Sequence, residues 1–179
     1  MAYISPLPSQ LASPSSDLPV TLISLDDWAL VTLSGEDKSK YLQGQLSCDM
    51  NALQPEHHQM AAHCEAKGKM WSAVRLFHYG DDLAYIQRAS LCDNQLTEIK
   101  KYAVFSKITF QRQNTALLLG VAGRNARAAL ASLFPSLPDA ETTVVQHGQT
   151  CILHLSLPTE RFLLVTVQDE ANRIYSALL

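Results

Sequence analysis

Charge is scarce in this sequence and neither sign dominates. Charged residues make up 17% of 179, and 14 lysines and arginines stand against 17 acids, a net charge of −3. That balance excludes a global basic field directed at nucleic acid and leaves only local basic clusters open. Long apolar runs are lacking as well: none approaches the roughly 18 residues that cross a bilayer as a helix. The front of the chain, MAYISPLPSQLASPSSDLP, has no basic start and no apolar block, so it does not read as a secretory leader. Rich in Ser and Pro, residues 1–19 are predicted to be a flexible or wrapping arm. Cysteines are few and scattered, at Cys48, Cys64, Cys92 and Cys151, with no CxxC pair. Such spacing argues against a disulfide framework and against a zinc ribbon, and reads as reduced thiols of a cytoplasmic protein.

What the chain does have is 47% hydrophobic residues, enough for a core in one domain or two small ones. "VTLISL" and "ALVTLSG", separated by the turn "DDW", alternate as strands and are expected to pair as a hairpin. Ser34-Gly35-Glu36-Asp37 starts a helix predicted from about Lys38 to Leu46. "MAAHC", "MWSAVRLFHY" and "LAYIQR", joined by "EAKGK" and "GDD", predict an antiparallel meander. "LCDNQLTEIKKYAVF" predicts a helix, with Leu91, Leu96, Ile99 and Val104 near the helical period, and "KITFQR" closes a first unit over residues 20–112. Residues 113–179 repeat the mixture: a strand "ALLLGVAG", a helix "RNARAALASLF", a hairpin "TVVQHG"/"TCILHL", a strand "RFLLVTV" and a helix "DEANRIYSALL". Many hairpins and few crossovers predict an α+β fold of two antiparallel sheets covered by helices. No strand follows the last helix, so the second unit is expected to be incomplete and the chain to be the front part of something longer.

Five groups of residues could carry chemistry. Cys48 with Asp49, His57 and His58 could form a thiol nucleophile, but a cysteine after a helix's last turn meets the negative end of the dipole, which raises its pKa. His57, His58, His63 and Cys64 are zinc-type ligands, but adjacent strand residues point to opposite faces. Gly120 and Gly123 lie between a strand and a helix, where a phosphate could rest, but the GxGxxG spacing is absent and a close turn is the better reading. Lys67, Lys69, Arg75, Lys100, Lys101 and Lys107 are solvated charges individually and, if they converge, a polyanion site. Trp28 is either a core aromatic or a platform for a flat heteroaromatic ligand.

"YLQGQ", "AKGKMWS" and "KKYAVFSK" occur in that order within longer matching segments from about Val20 to Val167. Together they resemble the YgfZ family, folate-binding and tRNA-modification-linked relatives of the glycine-cleavage aminomethyltransferase. The resemblance implies a GcvT-like ring of two ferredoxin-like antiparallel sheet-plus-helix units and a small C-terminal β-barrel, the barrel being missing from this chain. It implies tetrahydrofolate, or a derivative, as ligand and iron–sulfur enzymes such as a tRNA methylthiotransferase as partners. It places Trp28 in the folate site and makes Arg75, Lys100 and Lys101 candidates for the glutamate tail. It assigns no catalytic residue and no metal ligand here, and direct tRNA binding has no support in the residues.

Two departures limit the resemblance. The family's Lys-Gly-Cys and Gly-Gln-Glu signature is absent, so activity that needs that cysteine is not expected of this chain. The aminomethyltransferase's acid is also absent, because the matching stretch is Lys69-Met70-Trp71-Ser72. The expected function is therefore that of a folate-binding accessory protein. A folate-dependent aminomethyl transferase and a non-catalytic scaffold with a vestigial folate pocket are the alternatives.

Overall fold

The structure, a computed structural model, describes residues 7–179. In chain order the elements are β1 (Thr21–Ser24), β2 (Trp28–Ser34), α1 (Lys38–Gln43), β3 (Gln59–Cys64), β4 (Met70–Tyr79), β5 (Asp82–Arg88) and α2 (Ala89–Lys100). They continue with β6 (Thr109–Gln113), β7 (Leu117–Ala122), α3 (Ala126–Ala131), β8 (Val144–His147), β9 (Thr150–Leu155), β10 (Arg161–Thr166) and α4 (Gln168–Leu178). They form two five-stranded antiparallel sheets, β3-β4-β5-β2-β6 and β1-β7-β10-β9-β8. The chain is thus α+β, with helices against antiparallel sheets and no barrel among the described residues.

Two compact units result. A continuous unit holds Asp27–Gln113, and a split unit holds the stretch up to Asp26 together with Asn114–Leu179. The boundary predicted after residue 112 falls beside Gln113, but the stretch from Val20 to Asp26, expected in the first unit, belongs to the split one. The expected hairpin does not form, because β1 pairs with β7, Thr21 opposite Ala122 and Ile23 opposite Gly120. The reason lies in β7: LLLGVA is buried along its whole length and takes a partner on each edge, β1 and β10. Gly120 faces Ile23, and a Cβ there would meet the Ile23 Cβ at 3.4 Å, an ordinary contact.

Of the predicted arm, residues 1–6 lie outside the described residues. Its end is pinned: the amides of Arg124 and Asn125 donate to the carbonyls of Leu18 and Pro19 at 3.0 and 2.8 Å. A phosphate at the Gly120–Gly123 turn is therefore ruled out as the role of these donors, which the chain itself satisfies. Gly123, at φ +117°, allows the approach, because a Cβ would lie 2.6 Å from the Pro19 carbonyl oxygen. In the same unit Arg127 Nη2 donates to Glu160 Oε1 at 2.6 Å and to the Pro138 carbonyl at 2.9 Å, and its Cζ lies 5.1 Å from the Phe162 ring centre. The hydrogen bond from Arg127 holds the Glu160 carboxyl below the ordinary glutamate range.

The continuous unit buries one face of its sheet under α1 and α2. Val31, Leu33, Leu76, Leu83 and Tyr85 of the strands meet Leu42, Leu96 and Ile99 of the helices. Each such side chain, fully removed from water, stabilises by about 1.5–3 kcal/mol. The helix α2 ends at Lys100 rather than at Phe105. Val104, expected on its apolar stripe, is 77% exposed and Phe105 is fully exposed. The chain leaves the helix to bring Lys107 to the turn before α1, where the Asp37 amide donates to the Lys107 carbonyl at 3.1 Å and the Lys107 amide to Asp37 Oδ2 at 2.7 Å.

A polar network lies inside this core. Gln95 Oε1 accepts from the Tyr85 hydroxyl and from Gln87 Nε2, each at 2.9 Å, and Gln95 Nε2 donates to His63 Nδ1 at 3.3 Å. Burial lowers the His63 pKa, more than the nearby Glu98 raises it. A folded-state pKa below the unfolded value of about 6.5 means that the unfolded chain takes up the proton first. Stability from neutral His63 is present above that value and is lost as pH falls from it toward the folded pKa. The melting temperature is therefore expected to drop between about pH 7 and about pH 5.5, before carboxylates titrate, and the drop is expected to shrink in His63→Gln.

Candidate functional site

Strand register decides which predicted site residues meet. In the continuous unit Trp28 stands opposite Arg88 and Leu30 opposite Ile86 on β2 and β5, while Arg75 of β4 also stands opposite Ile86. Side chains alternate along a strand, and Ala29, Val31 and Leu33 point into the helix-covered core. Trp28, Arg88 and Arg75 therefore share the face turned away from α2. Lys100 and Lys101 close α2 on the other side of the sheet. The predicted set is split: Arg75 joins Trp28, and the two lysines do not.

Trp28 is half-buried, and the Arg88 Cζ lies 4.4 Å from its ring centre. That distance is within the range of a cation–π contact. Among the described residues no carboxylate is paired with Arg88, and the first turn of α2, which begins at the next residue, carries no acid. Three other cations of this unit have carboxylate partners: Lys101 with Glu98 at 2.6 Å, Arg112 with Asp93 at 2.9 Å, and Lys107 with Glu36. Arg75 Nη1 donates to His58 Nδ1 at 2.9 Å. An indole and two guanidinium groups on one sheet face match a flat ring that carries carboxylates.

Arg88 was invisible in the sequence. It closes "LAYIQR" as one polar residue among several, and only its pairing with the first residue of β2 gives it a role. The sequence pattern pairs β2 with β1, which removes the one relation that would have exposed it.

The buried cysteines are poorly suited to the nucleophile reading. Cys48 is buried, and burial, then the neighbouring Asp49, raises its thiol pKa; burial also raises Cys92 and pushes Cys151 up to about 12. Thiols held protonated in this way are poor nucleophiles. Asp49 instead caps a short 3-10 turn, accepting from the Asn51 amide at 3.0 Å, and Gln43 Oε1 accepts from the Met50 amide at 2.7 Å. Gly44 caps α1 with ordinary helical dihedrals, and a Cβ there would come no nearer than 3.6 Å to another atom, so no close backbone contact requires it. No group of three or more His, Cys, Asp or Glu side chains among the described residues is placed to hold a metal ion.

Comparison with known proteins follows the same lines as the geometry. No family profile matches the chain. It is 58% identical over 178 residues to the tRNA-modifying protein YgfZ of Photorhabdus laumondii, covering 99% of this chain and 54% of that protein. It is 59% identical over 178 residues to the tRNA-modifying protein YgfZ of Serratia proteamaculans, with the same coverage. The chain is a relative of YgfZ. It spans about half the length of the YgfZ proteins it matches. The glycine cleavage system aminomethyltransferase T of Bartonella henselae superposes with a TM-score of 0.78 over 92% of this chain and 46% of that one, at 16% identity. That likeness establishes the fold, so the YgfZ-type sequence is carried on an aminomethyltransferase-type pair of antiparallel sheet units. No helix among the described residues is long and apolar enough to cross a membrane.

Proposed function

We propose that this chain forms the tetrahydrofolate-binding part of a YgfZ-type accessory protein. That protein supports iron–sulfur enzymes, a tRNA methylthiotransferase among them, and turns over no substrate itself. The observation that carries the reading is the half-buried Trp28, which shares a sheet face with Arg88 and Arg75. Tetrahydrofolate, when bound, supplies a carrier for one-carbon groups. Trp28 packs against its pterin or aminobenzoyl ring and keeps water from that side, and the guanidinium groups meet its glutamate carboxylates. The four free cysteines fit a reducing cytoplasm, where such a protein would work.

Titration of the chain with folinic acid, followed by tryptophan fluorescence, tests this directly. Trp28→Ala is expected to weaken binding about tenfold to a hundredfold, the loss of about 1.5–3 kcal/mol of aromatic contact. Trp71 remains in that variant as a second reporter. Equal affinity in both proteins would remove Trp28 from the site.

The fold favours one rival, a folate-dependent aminomethyl transferase. Against it stands β4, MWSAVRLFHY, which offers no carboxylate for general acid–base work. Aminomethyl transfer from a glycine-cleavage intermediate would revive it. A scaffold with a vestigial pocket would instead give no folate-dependent rise in melting temperature.

A further inference from the structure

We infer that Arg88 is the residue that receives the ligand's carboxylate, and that Trp28 and Arg88 form one preassembled site for an aromatic carboxylate. The inference rests on the folate reading for the identity of the ligand, but its geometry stands on the pair alone. Three cations were candidates for this task from sequence. Lys100 and Lys101 lie on the helix-covered side of the sheet, and Lys101 already meets Glu98 at 2.6 Å. Arg75 shares the face of Trp28 but donates to His58 at 2.9 Å. Arg88 is directly opposite Trp28, is exposed, and has no carboxylate partner among the described residues.

The contact between the two side chains has a consequence for binding. A guanidinium over an aromatic face keeps its N–H donors at its edge, where a planar carboxylate can take two of them at once. Resting 4.4 Å from the indole centre, Arg88 is already held near one arrangement before a ligand arrives. Less side-chain freedom is then lost on binding. The ring of such a ligand needs the part of the indole that Arg88 leaves uncovered, so ring and carboxylate lie side by side at the paired ends of β2 and β5. The aminobenzoyl-glutamate portion of a folate has that composition, and a bare pterin does not.

The test uses the 179-residue chain with three probes, folinic acid, para-aminobenzoyl-glutamate and neutral pterin, each followed by fluorescence into the millimolar range. Arg88→Gln is expected to weaken both carboxylate probes about tenfold to a hundredfold and to leave pterin unchanged. Arg88→Lys is expected to recover only part of the loss, since a point charge lacks the two-donor fork. Unchanged melting temperatures in both variants confirm that the fold is retained. If Arg88→Gln binds folinic acid as wild type does while Trp28→Ala does not, Arg88 is excluded and the folate reading survives. If para-aminobenzoyl-glutamate binds through Arg88 but folinic acid fails to bind, Arg88 stands and the folate reading falls. If neither carboxylate binds the wild-type chain, both are wrong.

Discussion

Gln95→Ala is expected to destabilise the continuous unit by about 4 kcal/mol, a large part of the total stability of a domain this size. Gln95 is the hub of three hydrogen bonds in the core: two arrive at Oε1 from Tyr85 and Gln87, and one leaves Nε2 for His63. All four side chains are buried. Truncation leaves a hydroxyl, an amide and an imidazole without this partner and out of reach of bulk water. Each orphaned group costs about 1–3 kcal/mol, with some relief from relaxation. The network also makes the costs non-additive. Tyr85→Phe is expected to cost about 1 kcal/mol in the wild type and to be neutral or stabilising in Gln95→Ala, where it removes an orphan. Urea unfolding of the four proteins measures this cycle. Simple additivity would mean that the Tyr85–Gln95 bond carries no stability.

Gly35→Ala is the second large effect, expected at about 3–5 kcal/mol. Gly35 sits at φ +109°, and a Cβ there would lie 2.1 Å from the Lys107 carbonyl oxygen. That oxygen belongs to backbone, so no side chain can swing away. It is also fixed, because Asp37 holds Lys107 through both its amide and its carboxylate. Gly68 provides the control: its φ is +84°, yet a Cβ there meets nothing within 4 Å. Gly68→Ala thus measures dihedral strain alone, about 1 kcal/mol. Equal shifts of the urea midpoint in the two variants would show that the clash at Gly35 is relieved elsewhere.

Local pattern carried much of the fold. The alternation in β4 and β5 and the turn between them were readable, as was the β8–β9 hairpin, whose strands meet at His147 and Thr150 around Gly148. These pairings join neighbours in sequence, where turn chemistry and period suffice. The β1–β7 pairing was not readable, because proximity favoured a hairpin with β2 and nothing local records the need of a fully buried β7 for two partners. The end of α2 was misread for a related reason. Val104 has the right spacing from Ile99 and Leu96, but a tertiary bond between Lys107 and Asp37 takes the chain out of the helix first.

The proposed site was half legible. Trp28 and Arg75 could be named from the sequence and its family resemblance, and register places them on one face. Lys100 and Lys101 instead end α2, on the helix-covered side of the sheet and away from Trp28. Which side a helix covers follows from packing, since Cys92, Leu96 and Ile99 bury themselves against Val31 and Leu33. Arg88 needed the register of two strands separated by more than forty residues of chain.

A proton–nitrogen correlation spectrum of the chain, recorded as folinic acid is added, addresses folate binding most directly. Its two tryptophans, Trp28 and Trp71, give separate indole signals. Binding at the proposed face shifts the Trp28 indole and the amides at the paired ends of β2 and β5, around Trp28 and Arg88, and leaves the amides near Lys100 in place. Shifts centred on Lys100–Lys107, or a Trp28 signal that never moves at saturating ligand, would contradict it.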